Sequence, residues 1–66
     1  MTLTINGQAR EISGAATVAD LVAQLLPEMP SVLVEHNGMA LRRSEWESRP
    51  VADGDRLEII RIVAGG

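Results

Sequence analysis

One amphipathic helix among several strand-like segments is the feature that most constrains how this chain can fold. Apolar side chains spaced three and four residues apart predict a single helical stripe: Val18, Leu21, Val22 and Leu25. Thr17 is placed to cap the helix, Asp20 can bind first-turn N–H groups, and Pro27 ends it. A single stripe has one place to be buried, across one face of a sheet.

The segment from Met1 to Ile12, ahead of the helix, predicts a β-hairpin. Leu3 and Ile5 alternate with threonines, which is the period of a strand with one buried face. Asn6-Gly7 is the pair best suited to the positive φ angles of a type I′ turn. The returning strand, Gln8 to Ile12, alternates poorly, so its register stays open.

Three more strands and one helical turn are predicted after the helix. The strands are Val32–His36, a short Met39–Leu41 after the Asn37-Gly38 turn, and Arg56–Val63, which is the longest. Ser44-Glu45-Trp46-Glu47 matches a capping box and predicts the helical turn. Asp53-Gly54-Asp55 predicts a tight turn. This order predicts an α+β, ubiquitin-like β-grasp fold, in which one amphipathic helix packs across a mixed sheet of four to five strands.

The chain is short and has no cysteine. Its 66 residues make one domain with a thin core, which must be aliphatic because Trp46 is the only aromatic residue. Without thiols the chain holds no disulfide, no zinc–thiolate site and no persulfide. If the chain carries sulfur, the sulfur atom must therefore be bonded to a group other than a side-chain thiol.

The net charge and the hydropathy of the chain argue against several kinds of partner and against insertion in a membrane. A net charge of −3 argues against nucleic acid or an anionic membrane. No apolar run approaches the ~20 residues of a membrane span, and no secretion signal is visible at the N-terminus. We therefore expect a cytoplasmic protein that is a monomer when free, without a bound cofactor or a metal site.

All six basic residues are arginine, and lysine is absent. One interpretation is that an activated C-terminus finds no lysine amine on its own chain to acylate. The other is codon bias. The sequence alone favours codon bias.

Alternation along the last strand separates its side chains into two sets. Leu57 and Ile59 most simply face the helix, so Glu58, Ile60 and Ile62 point outward. Apolar residues that cluster on a surface suggest a docking face for a partner. The alternatives are that the protein's own loops cover them, or that they are ordinary single exposed residues.

The sequence ends in Ala64-Gly65-Gly66, which follows the β-grasp domain 1–63 as a tail predicted to be flexible. These three residues span roughly 10 Å, and glycines pass through channels too narrow for other residues. A terminal carboxyl is ionised at neutral pH and is a poor electrophile. A partner would have to convert it to a mixed anhydride with nucleotide phosphate, which a sulfur nucleophile can then displace to give a thiocarboxylate.

Several segments together resemble the ThiS family, the sulfur carriers of thiamin (thiazole) biosynthesis. The matching elements cover the whole chain: Asn6-Gly7, Thr17-Val18, Val34-Glu35-His36-Asn37-Gly38, Arg43 with Trp46, Asp53-Gly54-Asp55 and Ile62-Val63-Ala64-Gly65-Gly66. Each is unspecific alone, and their order and spacing carry the resemblance. His36 stands where relatives often have an aliphatic residue.

The resemblance implies a carrier and not an enzyme. Gly66 would be adenylated by an E1-like adenylyltransferase of the ThiF type, which uses ATP. It would then receive sulfur from a cysteine desulfurase relay and donate it to a thiazole synthase of the ThiG type. Gly65 and Ala64 would thread the activating site, and the face with Glu58, Ile60 and Ile62 would dock. Two alternatives are a ubiquitin-like modifier and the small subunit of molybdopterin synthase, and a third is a plain interaction domain.

Four other residues invite a functional interpretation that the sequence does not favour. His36 is the only histidine and is more simply a strand-end residue bound by its neighbours than a metal ligand. Trp46 is expected to close the edge of the core with its indole N–H near solvent. Asp53 and Asp55 flank Gly54 and are better explained by the turn than by acid–base chemistry.

Overall fold

Five strands form one mixed sheet in the computed structural model, which describes residues 1–63. In chain order the elements are β1 Thr2–Ile5, β2 Gln8–Glu11, α1 Val18–Leu25, β3 Val32–His36, β4 Met39–Leu41, a 3₁₀ helix Arg43–Ser48, and β5 Arg56–Arg61. The spatial order is β2-β1-β5-β3-β4. β5 is parallel to β1 and antiparallel to β3, and the two hairpin pairs are antiparallel. The β-grasp prediction, with five strands and one helix, is confirmed.

Both Asn-Gly pairs form the turns that the sequence predicts. Asn6 and Asn37 have φ angles of 50° and 49°, and the glycine after each is also positive, as a type I′ turn requires. In the first hairpin, Ile5 pairs with Gln8 and Thr2 with Glu11, which fixes the register that the sequence left open. β2 alternates poorly because it is an edge strand whose side chains are all exposed.

The helix begins and ends where its capping residues predict. The Thr17 hydroxyl accepts the N–H of Asp20, whose carboxylate in turn accepts the N–H groups of Ala16 and Thr17. These two backbone hydrogen bonds hold the pKa of Asp20 below its ordinary value. The buried residues of the helix are Val18, Leu21 and Val22 of the predicted stripe, with Leu25 packed at the edge. Within residues 1–63 no helix is long and apolar enough to cross a membrane.

The core lies between α1 and one face of the sheet. Its buried apolar residues are Leu3, Ile5, Ile12, Val18, Leu21, Val22, Val34, Leu41, Trp46 and Leu57. Apart from Trp46 they are all aliphatic, as the composition predicts. Among residues 1–63, no helix covers the opposite face of the sheet, where Leu33 and Ile60 are exposed.

The 3₁₀ helix differs from the sequence prediction in two details. Its N-cap is Arg42 and not Ser44, because the Glu45 carboxylate accepts the N–H of Arg42 at 2.7 Å. Trp46 closes the edge of the core as expected, but its indole N–H is buried and finds no acceptor among residues 1–63. The guanidinium of Arg43 lies over the indole ring, 5.5 Å from its centroid.

Candidate functional site: the last strand and its open face

β1, the parallel neighbour of β5, is bound to it by one side chain as well as by the backbone. The amide of Asn6 accepts the N–H of Ile59 at 2.7 Å and donates to the carbonyl oxygen of Ile59 at 3.1 Å. The side chain thus satisfies both the N–H and the carbonyl oxygen of Ile59 at the point where the backbone of β1 ends. The positive φ of Asn6 turns the chain away while its side chain remains bound to β5. The Asn-Gly signal in the sequence indicated the turn and gave no sign of this second role.

A second asparagine fastens the start of β5 from the other side. The Asn37 side-chain oxygen accepts the N–H of Arg56, and its amide N–H donates to Asp55. The Asp55 carboxylate also accepts from Ala52 and pairs with His36. His36 is therefore bound by its neighbours, as expected, although it is buried on the core side of β3. β5 is held at both edges before the chain leaves the sheet.

The end of β5 lies two residues earlier than the sequence predicts. The predicted strand reaches Val63, whereas the observed strand ends at Arg61, which pairs with Val32. β3 starts at Val32, so no further residue of that strand is available to pair; the last bond runs from the N–H of Ile62 to the carbonyl of Ser31 at 2.9 Å. Val63 is 83% exposed. The backbone is thus tied to the sheet as far as Ile62.

The predicted docking face lies on the open side of the sheet. Leu57 is buried and Ile59 packs against the core, whereas Ile60 and Ile62 are 50% and 57% exposed. Among the described residues, neither isoleucine is covered by a loop. Glu58, the third predicted member, is partly buried. The outward orientation of the two isoleucines agrees with the strand alternation; their role in docking stays a prediction.

Two residues of β3 belong to this face and were missed from the sequence. Leu33 pairs directly with Ile60 and is exposed, and Glu35 pairs with Glu58 on the same side. The face therefore carries an apolar patch of Leu33, Ile60 and Ile62, termed the open-face patch, with two carboxylates beside it. The alternation of Leu33 between Val32 and Val34 was a usable signal. No signal in the sequence indicated that β3 would be the strand beside β5.

The two aspartates that could be considered for acid–base chemistry make structural hydrogen bonds instead. The Asp53 carboxylate accepts the N–H of Thr2 at 2.6 Å, and Asp55 is occupied as described, so both serve the turn as expected. Within residues 1–63 no group of three or more His, Asp or Glu side chains could hold a metal ion. Gly66, Gly65 and Ala64 lie outside the described residues, so their predicted roles rest on the sequence.

Known proteins share both the sequence pattern and the fold of this chain. The pattern of the ThiS family matches residues 3–66. This chain belongs to the ThiS family. A sulfur carrier protein ThiS from Escherichia coli is 29% identical over the full length of both chains. The crystal structure of a thiamine biosynthesis protein (ThiS) from Geobacter metallireducens superposes with a TM-score of 0.82, at 35% identity and full coverage of both chains.

A larger relative contains a ThiS-like segment. A thiazole synthase from Paramagnetospirillum magneticum is 38% identical over the whole of this chain, which spans only 20% of that protein's length. In that relative, a segment similar to a ThiS-family chain belongs to the same polypeptide as the rest of a thiazole synthase.

Proposed function

We propose that this ThiS-family chain is the sulfur carrier of thiamin biosynthesis and that Gly66 carries the sulfur as a thiocarboxylate. The observation that carries the proposal is the position of β5: central in the sheet, fastened by Asn6 and Asn37, and followed after Val63 by Ala64-Gly65-Gly66. A folded domain whose last strand is bound at both edges is thereby followed in the sequence by a slender segment that ends in the proposed carboxyl.

The proposed chemistry takes place in two steps at the Gly66 carboxyl. An E1-like adenylyltransferase binds ATP, a carboxylate oxygen attacks the α-phosphorus, and pyrophosphate leaves. A sulfur nucleophile supplied by a cysteine desulfurase relay then attacks the carbonyl carbon, and AMP leaves with its electron pair. When the nucleophile is a persulfide, this attack gives an acyl disulfide. A second thiol of the relay then attacks the donor's sulfur and forms a disulfide with it, and –C(=O)–S⁻ leaves with the electron pair of the broken S–S bond. This chain supplies the carboxyl and the partners supply the catalytic groups.

The slenderness of the tail supports this chemistry. Three residues after Val63 span at most about 10 Å. Two of them lack a Cβ atom, so that segment fits a channel that admits backbone and no side chain. A residue added after Gly66 would move the carboxyl past the reacting phosphorus, and a bulky residue at position 65 would not enter.

The open-face patch is proposed as the surface that docks the activating enzyme. Leu33, Ile60 and Ile62 lie on one side of the sheet, and the last of them is four residues from Gly66. A partner that covers this patch is therefore close enough to receive the carboxyl. Glu35 and Glu58 beside the patch favour a partner surface that combines apolar residues with a positive charge.

Delivery to a thiazole synthase is supported by the relative in which a ThiS-like segment and a thiazole synthase share one polypeptide. Joining a carrier to its acceptor raises the effective concentration of one for the other. Where the carrier and the thiazole synthase are separate molecules, the two must bind each other before sulfur can be transferred. We infer that thiazole synthase is the enzyme that consumes the carried sulfur.

ATP–pyrophosphate exchange with a ThiF-type enzyme tests the activation step. The wild-type chain should support exchange, whereas a chain with one alanine added after Gly66, and the Gly65→Val variant, should not. Circular dichroism should show the same fold for all three, because the tail follows the last sheet hydrogen bond at Ile62. Exchange by the extended chain at the wild-type rate would contradict the assignment of Gly66.

A further inference from the structure

The Asn37-Gly38 turn combines a chemically reactive pair of residues with an anchoring role for β5. Asn37 is exposed, and its side-chain amide binds Arg56 at the start of β5 and Asp55 just before it. We propose that this turn is a site of spontaneous deamidation, and that the aspartate formed there releases the start of β5. The reaction needs water and no partner enzyme, so it is independent of the sulfur chemistry proposed above.

Deamidation of an Asn-Gly pair uses the backbone nitrogen of the glycine as the nucleophile. The Gly38 nitrogen attacks Cγ of Asn37 and forms a C–N bond, and the side-chain nitrogen leaves as ammonia with the proton that the glycine nitrogen gives up. Water then adds to one carbonyl carbon of the cyclic imide and breaks its C–N bond, which leaves an aspartyl or an isoaspartyl residue. Glycine allows the attack because it has no side chain, and nothing lies within 4 Å of where a Cβ of Gly38 would be.

The hydrogen bonds of Asn37 require one acceptor and one donor in fixed places. Its Oδ1 accepts the N–H of Arg56 at 2.9 Å, and its Nδ2 donates to Oδ1 of Asp55 at 3.1 Å. An aspartate at position 37 keeps the acceptor and loses the donor, because an ionised carboxylate only accepts. Its second oxygen would therefore face the Asp55 carboxylate with no proton between the two groups.

Asp55 cannot turn away from a carboxylate at position 37 without losing its other partners. Its Oδ2 lies 2.8 Å from Nε2 of His36 and accepts the N–H of Ala52 at 2.8 Å. Its side chain is only 16% exposed, so water screens the repulsion less than at an open surface. Two more carboxylates, of Glu35 and Glu58, and a single guanidinium line the depression beside the turn. Deamidation thus adds a negative charge where negative charge already prevails.

The other Asn-Gly pair of this chain provides a matched comparison. Nδ2 of Asn6 donates to the neutral carbonyl oxygen of Ile59 at 3.1 Å, and Arg10 and Arg61 line the depression beside Asn6. An aspartate at position 6 would add the same charge and would also tolerate the positive φ. It would face a carbonyl oxygen and two guanidinium groups instead of a carboxylate, so its effect on β5 should be smaller.

A reciprocal exchange of two side chains tests the release of β5. Asn37→Asp brings two carboxylates together, and Asp55→Asn brings two amide nitrogens together, so each variant should unfold at a lower urea concentration than the wild type. In the double variant, the amide nitrogen at position 55 takes the place of Oδ1 and can donate to the carboxylate at position 37. Its oxygen can still accept from His36 and Ala52.

We expect the double variant to recover about half or more of the urea midpoint that Asn37→Asp loses, because the two positions interact directly. The N–H of Arg56 should exchange with deuterium about tenfold faster in Asn37→Asp than in the wild type. Asn6→Asp is the control: its midpoint should fall less, and Asp55→Asn should add to that loss without any recovery.

Incubation of the purified wild type at mildly alkaline pH tests the modification itself. Deamidation makes the chain heavier by the difference between an OH and an NH₂ group, and fragmentation separates the product at Asn37 from that at Asn6. The product should form faster at alkaline than at mildly acidic pH, because the attacking nitrogen must lose its proton. The variant with aspartate at both positions should keep its mass.

An Asn37→Asp variant as stable as the wild type, or a double variant whose loss is the sum of the two single losses, would overturn the release of β5. An unchanged mass at Asn37 after long incubation at alkaline pH would overturn the assignment of the modification site. Either result would leave the proposed sulfur-carrier function intact.

Discussion

The Nε2 atom of His36 lies 2.8 Å from Oδ2 of Asp55, and this contact fastens the end of β3 to the turn before β5. The same carboxylate accepts the N–H of Ala52 at 2.8 Å and the amide N–H of Asn37 at 3.1 Å. A histidine buried on a mainly apolar strand face is thereby satisfied. Asp55 thus binds three groups around the start of β5: His36, Asn37 and Ala52.

Removing that aspartate should destabilise the fold. In Asp55→Ala the buried imidazole of His36 loses its partner, and we expect the free energy of unfolding to fall by about 2–3 kcal/mol. Urea denaturation measures the change. Asp53→Ala is the matched control, because that exposed carboxylate makes a single hydrogen bond to Thr2 and should cost about 1 kcal/mol or less. Equal losses in both variants would contradict the central role of Asp55.

Stability should depend on pH through the same group. Burial raises the pKa of Asp55, but hydrogen bonds from His36, Ala52 and Asn37 together outweigh burial and hold its pKa below the ordinary value. A lowered folded-state pKa contributes stability above the unfolded value of about 3.9, and this contribution is lost as the pH falls through the folded value.

Thermal unfolding between about pH 5 and about pH 2 measures this dependence. The melting temperature of wild type should fall more steeply than that of Asp55→Asn, and the two should converge at the acid end. Asp20 has a lowered pKa of the same sign and is present in both proteins, so the comparison removes its effect. Parallel curves for the two proteins would show that Asp55 does not titrate as described.

The Asn6 side chain should stabilise β5 without touching the core. Asn6→Gly keeps a residue that tolerates the positive φ and removes both hydrogen bonds to Ile59. We expect a loss of about 1–2 kcal/mol by urea denaturation. Asn6→Ala should lose more, because alanine also strains the turn. A glycine variant as stable as the wild type would contradict the bridging role.

The open-face patch should affect encounter with the activating enzyme and leave the fold unchanged. Ile60→Gln and Ile62→Gln remove exposed apolar surface, and each should raise the KM of pyrophosphate exchange about fivefold, corresponding to roughly 1 kcal/mol of lost burial. Met39→Gln is the control, since Met39 is 57% exposed and lies on the other side of the sheet, in β4. The same KM for all three variants would exclude the patch as the docking surface.

Local signals predicted most of the fold. The stripe from Val18 to Leu25 and the Asn-Gly pairs act within a few residues, so the helix and both hairpins could be placed from the sequence. The order of strands depends on contacts across the whole chain. That β5 lies between β1 and β3 and brings Leu33 beside Ile60 was therefore visible only in the structure.

Side-chain pairing over long distances in the sequence accounts for the other differences. Asn6 and Ile59 are 53 residues apart, so no local pattern links them. Two carboxylates, Glu45 and Glu47, could each accept a backbone N–H three residues before it at the start of the 3₁₀ helix. In the structure Glu45 accepts the N–H of Arg42, which makes Arg42 the N-cap. The indole N–H of Trp46 is buried, and the guanidinium of Arg43 lies over the ring; the sequence indicated neither.

The most direct test is the intact mass of the protein after co-expression with a ThiF-type enzyme and a cysteine desulfurase, with fragmentation to locate the change. We expect a chain heavier by the difference between sulfur and oxygen, with the added mass confined to Gly66. The chain extended by one alanine should stay unmodified. An unmodified wild-type chain under these conditions, or sulfur located anywhere other than Gly66, would contradict the assignment of Gly66 as the sulfur-bearing residue.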